Sequence, residues 1–99
     1  MVTVYHNSRW EGSEQEPLLQ SLELAGVVAH TDDLDEAFDR TIHRDGENWT
    51  DDPAVRFFGD RRSRRSSREG DVFVPGDGTA HLVLAVGFRP LPGLRLPFL

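Results

Sequence analysis

Hydrophobic and polar residues alternate in several segments of the chain, and this period of two predicts β-strands. The first segment is Val2 to His6. The second, Leu22 to His30, carries Leu22, Leu24 and Val28 on one side and Ala25, Val27 and Ala29 on the other. We therefore expect this strand to be covered on both faces of a sheet. Gly26 inside it predicts a bulge or the close approach of a neighbouring chain.

A β-hairpin is predicted near the C-terminal end. Residues 71–74 and 81–88 flank a turn rich in glycine and proline, which is the pattern of two paired strands. Four apolar residues of the second strand fall on one face, and we expect that face to meet a helix. They are Leu82, Leu84, Val86 and Phe88.

One helix is predicted over residues 33–44. Asp33 and Glu36 form the capping-box pattern that satisfies two backbone amides at a helix start, and Gly46 is a natural stop. The apolar residues at helical spacing are Leu34, Ala37, Phe38 and Ile42.

The remaining segments complete a single-domain prediction. Residues 55–58 are expected to form a short turn that caps the core. Residues 60–71 are expected to be exposed, because 60–70 contain no apolar side chain. The sequence therefore predicts one α+β domain over residues 1–90, with one main helix on a small antiparallel sheet. An extended apolar tail, residues 91–99, follows it. The residues expected to be largely buried are Leu34, Phe38, Ile42, Val72, Val74, Leu82, Leu84 and Val86.

Composition argues against catalysis and against a membrane partner. The 99 residues contain no cysteine, and the four histidines lack metal-ligand spacing. No nucleophile has a general base near it in sequence, so no catalytic residue, metal or cofactor is predicted. No segment approaches the roughly 20 apolar residues of a membrane span, and no export signal is recognisable. We expect a cytoplasmic protein that binds another macromolecule.

Charge is distributed unevenly. Residues 1–55 carry thirteen acids and three arginines, a charge of −10, whereas residues 56–99 carry four acids and eight arginines, a charge of +4. All eleven basic residues are arginine, as in GC-rich bacterial genomes and their phages. Five of them lie within eight residues and form a candidate site for nucleic acid or an acidic partner: Arg61, Arg62, Arg64, Arg65 and Arg68. Because the segment has no aromatic residue and the chain is acidic, we favour internal pairing or solvation.

The C-terminal tail is the second candidate site. Leu94, Leu96 and Phe98 point to one side of an extended chain, with Pro97 and Leu99 beside them. Such a row of apolar side chains either folds back as an edge strand or enters a groove on another protein. Both alternatives are open from the sequence.

Two parts of the chain are similar to known sequences. The segment Arg65-Ser66-Ser67-Arg68-Glu69-Gly70-Asp71-Val72, with the later Val86-Gly87-Phe88-Arg89-Pro90-Leu91, resembles the YodL-like domains, and the resemblance covers about residues 20–91. This chain departs from the family pattern at Ser67, Arg68 and Glu69. The resemblance implies a small accessory protein of phages or mobile elements without known catalytic residues.

The tail Gly93-Leu94-Arg95-Leu96-Pro97-Phe98 resembles the linear motif by which bacterial proteins dock on the replicative sliding clamp. Both leucines and the apolar end are retained, and Gly93 replaces the usual glutamine, which should weaken binding. The resemblance implies a host protein as partner, with the clamp as the sharpest candidate.

Overall fold

Over the residues that the structure describes, six strands form one antiparallel sheet and one helix packs on it. The structure is a computed structural model that describes residues 1–10, 17, 19–43, 48–58 and 65–96. The sheet order is β3-β2-β1-β4-β5-β6, which confirms the predicted α+β class. The elements are β1 (Val2–Asn7), β2 (Leu22–Val28), α1 (Leu34–Arg40), β3 (Val55–Phe57), β4 (Val72–Val74), β5 (His81–Val83) and β6 (Phe88–Pro90), with 3₁₀ turns at Leu19–Ser21 and Trp49–Asp51.

Both faces of the sheet are covered by apolar side chains. The helix-side cluster contains Val2, Val4, Ala25, Val28, Ala37, Trp49, Val55, Phe73 and Val83, with Leu34, Phe38, Phe57 and Phe88 packed against it. The tail-side cluster contains Tyr5, Val72, Val74, Ala80, Leu82, Leu91 and Leu96, with Trp10, Leu22, Leu24, Leu84 and Leu94 packed against it. Strands β1 and β4 are buried along their whole length because they lie between these two layers.

A β-bulge in β2 changes which side chains face the helix. Val4 pairs with Gly26 whereas Tyr5 pairs with Leu24, so Ala25 has no residue directly opposite it on β1. The extra residue reverses the alternation beyond it. Val28 therefore joins the helix-side cluster, and its predicted grouping with Leu22 and Leu24 is wrong. Gly26 is required here because a Cβ atom would lie 2.8 Å from the carbonyl oxygen of Arg56 on β3.

Helix α1 begins as predicted and ends earlier. The Asp33 carboxylate accepts from the backbone amides of Asp35 and Glu36, which confirms the N-cap. The capping box itself is not formed, because the Glu36 side chain pairs with Arg40. The helix ends at Arg40, since the backbone amide of Thr41 bonds the carbonyl of Phe38 and its hydroxyl donates to that of Ala37. Gly46, the predicted stop, lies outside the described residues.

The predicted hairpin is a three-stranded meander. The segment 81–88 is interrupted by a tight turn, in which Gly87 has φ of 79° and Val86 is 90% exposed. Burial of Val86 was therefore wrongly predicted, because a turn within the apolar run resets the alternation. Leu82 and Leu84 belong with the tail-side cluster, on the face away from the helix, whereas Phe88 packs against the helix-side cluster.

The partial burial of Leu34, Phe38, Ile42 and Leu84 is a further difference from prediction. The helix is short and lies at the surface of its cluster, so only Ala37 is fully covered. Segment 55–57, predicted as a turn, is instead the edge strand β3, with Val55 opposite Val28.

Candidate functional site

The densest buried polar cluster lies where the end of β1 meets residues 65–71, a segment we call the clasp. Its centre is the Asp71 carboxylate, which is fully buried. The backbone amides of Asn7 and Arg68 each donate to it at 2.8 Å. The two terminal nitrogens of Arg65 donate to its two oxygens at 2.8 and 2.6 Å, a bidentate ion pair. A buried carboxylate is stable in this setting because each oxygen has charged and backbone donors.

Arg65 is the member of the arginine run whose position is most informative. Besides binding Asp71, its guanidinium donates to the carbonyls of Ser66 at 2.9 Å and Asn7 at 3.3 Å. These contacts engage the charge inside the protein and leave little of it for an external phosphate. Arg68 is exposed. The candidates Arg61, Arg62 and Arg64 lie outside the described residues.

A chain of hydroxyl groups links the clasp to the end of α1. Thr41 donates from its hydroxyl to the carbonyl of Ala37 at 2.8 Å, and Ser67 donates to Thr41 Oγ1 at 2.7 Å. Since the Ser67 proton is used, its oxygen must accept from Nε2 of His6, 3.2 Å away. The tautomer of His6 therefore carries a proton on Nε2. The Ser67 amide also donates to the Thr41 carbonyl at 2.7 Å, so two bonds tie these residues together.

Serine, histidine and aspartate meet in this cluster, but their geometry differs from a hydrolytic triad. In a triad the histidine accepts the serine proton at one ring nitrogen while the carboxylate binds the other. Here Ser67 donates to Thr41, and Asp71 approaches the same Nε2 atom of His6, at 3.9 Å. All three residues are at most 4% exposed. What this arrangement can do is hold three segments of the chain together.

Gly70 completes the clasp. Its φ is +95°, a conformation that favours glycine, and a Cβ atom there would collide with the Trp10 ring. Its carbonyl accepts from the Asn7 side chain at 3.0 Å. Trp49 contributes a further tie, donating from its indole nitrogen to the carbonyl of Arg65 at 2.9 Å. Within the segment that resembles YodL-like domains, four residues thus have structural roles: Arg65, Ser67, Gly70 and Asp71.

The described part of the tail lies against the sheet. Leu91 is 2% exposed, and its amide donates to the carbonyl of Ala80 at 2.8 Å. After a turn at Pro92 and Gly93, Leu94 is half-buried and Leu96 is 7% exposed, both in the tail-side cluster. Among the described residues, the segment 92–96 makes no backbone hydrogen bond to any strand; the Leu94 amide bonds the nearby Leu91 carbonyl. Pro97, Phe98 and Leu99 lie outside the described residues.

Residues 92–96 lie against the sheet, as in the fold-back alternative, but among the described residues they form no edge strand. The side chains of Leu94 and Leu96 provide the attachment. Tyr5 lies in the same cluster, and burial raises the pKa of its phenol.

The Asp32 carboxylate binds the N-terminal amine and the Gly76 amide, each at 2.9 Å, and these bonds lower its pKa. In the described part of the chain no three histidine, aspartate or glutamate side chains are grouped as metal ligands. Across those same residues, no helix is long and apolar enough to span a membrane.

Comparison with protein-family models, with curated protein sequences and with solved structures gives no match. The resemblances to YodL-like domains and to clamp-docking motifs therefore remain predictions.

Proposed function

We propose that this protein is a non-enzymatic accessory protein of a phage or mobile element that binds and modulates a host protein through its C-terminal tail. One observation carries the proposal. Among the described residues, the backbone of residues 92–96 pairs with no strand, and the side chains of Leu94 and Leu96 make the contacts with the sheet. A segment of this kind can offer its amides and carbonyls to the wall of a groove while alternate side chains fill pockets.

The chemistry of the tail defines the partner's groove. Leu94, Leu96 and Phe98 require two or three adjacent apolar pockets, and Arg95, which is exposed, requires solvent or an acidic rim. Each apolar side chain contributes roughly 1.5–3 kcal/mol when buried. Three of them supply about 4.5–9 kcal/mol before ordering costs, so a dissociation constant near 1 μM, about 8 kcal/mol, also requires secondary contacts from the domain. The resemblance of the tail to clamp-docking motifs makes the replicative sliding clamp the sharpest candidate.

The clasp supports a binding role over a catalytic one. Its serine, histidine and aspartate are engaged with one another and with backbone groups, away from solvent. The ion pair of Arg65 with Asp71 also removes one of the five arginines from the candidate nucleic-acid surface. Binding to nucleic acid is therefore the alternative result that the experiment has to exclude.

The test is a calorimetric titration of a purified sliding clamp, taken from a bacterium with a GC-rich genome, with the full-length chain. We expect micromolar binding, and a loss of at least about tenfold, or about 1.4 kcal/mol, in the double variant Leu94→Ala, Phe98→Ala. Val86→Ala is the matched control, because Val86 is an exposed apolar residue outside the tail. Melting curves of all three chains must coincide within a few degrees.

Two results would contradict the proposal. The first is a dissociation constant weaker than about 1 mM, or less than about 4 kcal/mol, for the full-length chain. The second is micromolar binding to duplex or single-stranded DNA at physiological salt that falls steeply as salt increases, which would identify a nucleic-acid-binding module instead.

A further inference from the structure

Leu94 and Leu96 cannot lie against their own sheet and in a partner's groove at the same time. We propose that the tail-side face of the sheet is a seat that masks the tail, so that a partner protein must displace the tail from this seat in order to bind. This inference rests on the proposed function, and it adds a regulatory contact: the partner competes with the protein's own domain for the same two leucines.

The seat is formed by residues from the three strands β1, β4 and β5 and from the loop between β4 and β5. Tyr5, Val72, Val74, Ala80 and Leu82 are all at most 5% exposed and share one cluster with Leu96. Because these residues lie in or beside paired strands, the surface they form is retained when the tail leaves. The seat is therefore present in advance, and the tail is the mobile partner in the contact.

The turn at Pro92 and Gly93 separates the residues that stay on the sheet from the residues that can leave it. Leu91 is fixed by its bond to the carbonyl of Ala80 and by burial. The turn at Pro92 and Gly93 follows, and a Cβ atom added at Gly93 would meet nothing within 4 Å. Rotation at this turn can carry Leu94 and Leu96 away while β6 and Leu91 remain in place. The segment that leaves coincides with the segment proposed to enter the groove.

Masking has a measurable consequence for affinity. Partner binding must first remove one buried leucine and one half-buried leucine from the seat. The apparent dissociation constant is therefore the intrinsic one divided by the fraction of molecules whose tail is released. We expect a free peptide of residues 91–99 to bind the partner roughly 10- to 100-fold more tightly than the full-length chain, a difference of about 1.4–2.8 kcal/mol.

The experiment compares that peptide with four full-length chains, each titrated against the sliding clamp. Leu24→Ala removes a side chain packed against the tail-side cluster, and Leu34→Ala removes a partly buried leucine from the helix-side cluster. Leu24→Ala should tighten binding about three- to tenfold, because it weakens the seat and leaves the tail unchanged. Leu34→Ala is the matched control and should change affinity less than twofold. Wild type and Leu94→Ala complete the series, the latter showing weaker binding.

Each outcome decides a separate question. If the peptide and the Leu24→Ala chain both bind the clamp more tightly than wild type, the result supports the seat. Equal affinity of peptide and full-length chain overturns the seat and leaves the proposed function intact. If the peptide binds more tightly but Leu24→Ala and Leu34→Ala have equal affinities, the seat is also overturned, because the weaker binding of the full-length chain then has another cause. If neither peptide nor protein binds, both the proposed function and the seat are refuted.

Discussion

The substitution Asp71→Asn tests whether the clasp stabilises the fold. Asp71 is fully buried and receives four hydrogen bonds, two from Arg65 and one each from the backbone amides of Asn7 and Arg68. Asparagine has nearly the same shape, so the change removes the charge and one acceptor oxygen with little change in volume. The amide nitrogen that replaces an oxygen must face a donor, whichever way the side chain is turned.

The expected cost follows from those contacts. Breaking a buried ion pair by neutralising one partner costs about 3–5 kcal/mol, because the other charge is left without compensation. The Arg65 side chain is 26% exposed and can recover some hydration, which places the cost near about 3 kcal/mol. A domain of 99 residues has a total stability of roughly 5–15 kcal/mol. The substitution should therefore remove a large share of the stability.

The assay is urea unfolding followed by circular dichroism, with a thermal melt as a second measurement. A loss of about 3 kcal/mol corresponds to a fall in melting temperature of at least about 12 °C for a domain of this size. Glu36→Gln is the matched control, since it makes the same chemical change in an exposed pair with Arg40 and should cost no more than about 0.5 kcal/mol. If the two variants melt together, the clasp is not a main source of stability.

Four other changes have defined outcomes. Tyr5 is the only tyrosine, and burial raises its pKa. The stability that protonated Tyr5 contributes should persist below about pH 10 and be lost as the pH rises through the raised pKa. The titration of Tyr5 is measured by phenolate absorbance. Leu96→Ala should lower that pKa towards its ordinary value, whereas an unchanged titration would show that the tail does not cover Tyr5. Phe38→Ala should cost about 3 kcal/mol in urea unfolding and Val86→Ala less than about 0.5 kcal/mol, and the reverse order would refute the assignment of faces. Gly70→Ala should cost at least about 2 kcal/mol by the same assay, and a neutral result would contradict the role of its positive φ.

Local signals account for the parts of the fold that could be predicted. The start of α1 depends on Asp33 and its neighbours, and the first two strands depend on alternation within a few residues. The chain near Gly26 illustrates a partial success, because a glycine within a strand indicates a bulge or a close neighbour and both are present. The alternation of faces beyond the bulge could not follow from the sequence, since the extra residue is defined only by pairing with β1.

The clasp was missed for a different reason. Asn7 and Asp71 are 64 positions apart, and the hydrogen bond between them depends on the pairing of β1 with β4. No local spacing predicts that pairing. The segment 65–72 was singled out for its resemblance to a family motif, and residues 65–71 were predicted to form an exposed loop without a structural role. Polar residues at Ser67 and Asp71 were expected to be exposed because their segment lacks apolar side chains. Burial was possible because each found partners from distant segments.

The sequence of the tail is compatible with two binding surfaces, the protein's own sheet and a groove on another protein. Alternating apolar residues specify that Leu94 and Leu96 need a complementary surface, and they carry no information about which protein provides it. The contacts on the sheet differ from those of a true edge strand, because burial contributes through side chains and the backbone makes no ladder with the sheet. Such a contact is stabilised mainly by area, and any groove of similar apolar area that also pairs with the backbone has an energetic advantage over it. The proposed masking therefore requires a seat that holds Leu94 and Leu96 in the free protein and releases them to a partner that supplies the missing hydrogen bonds.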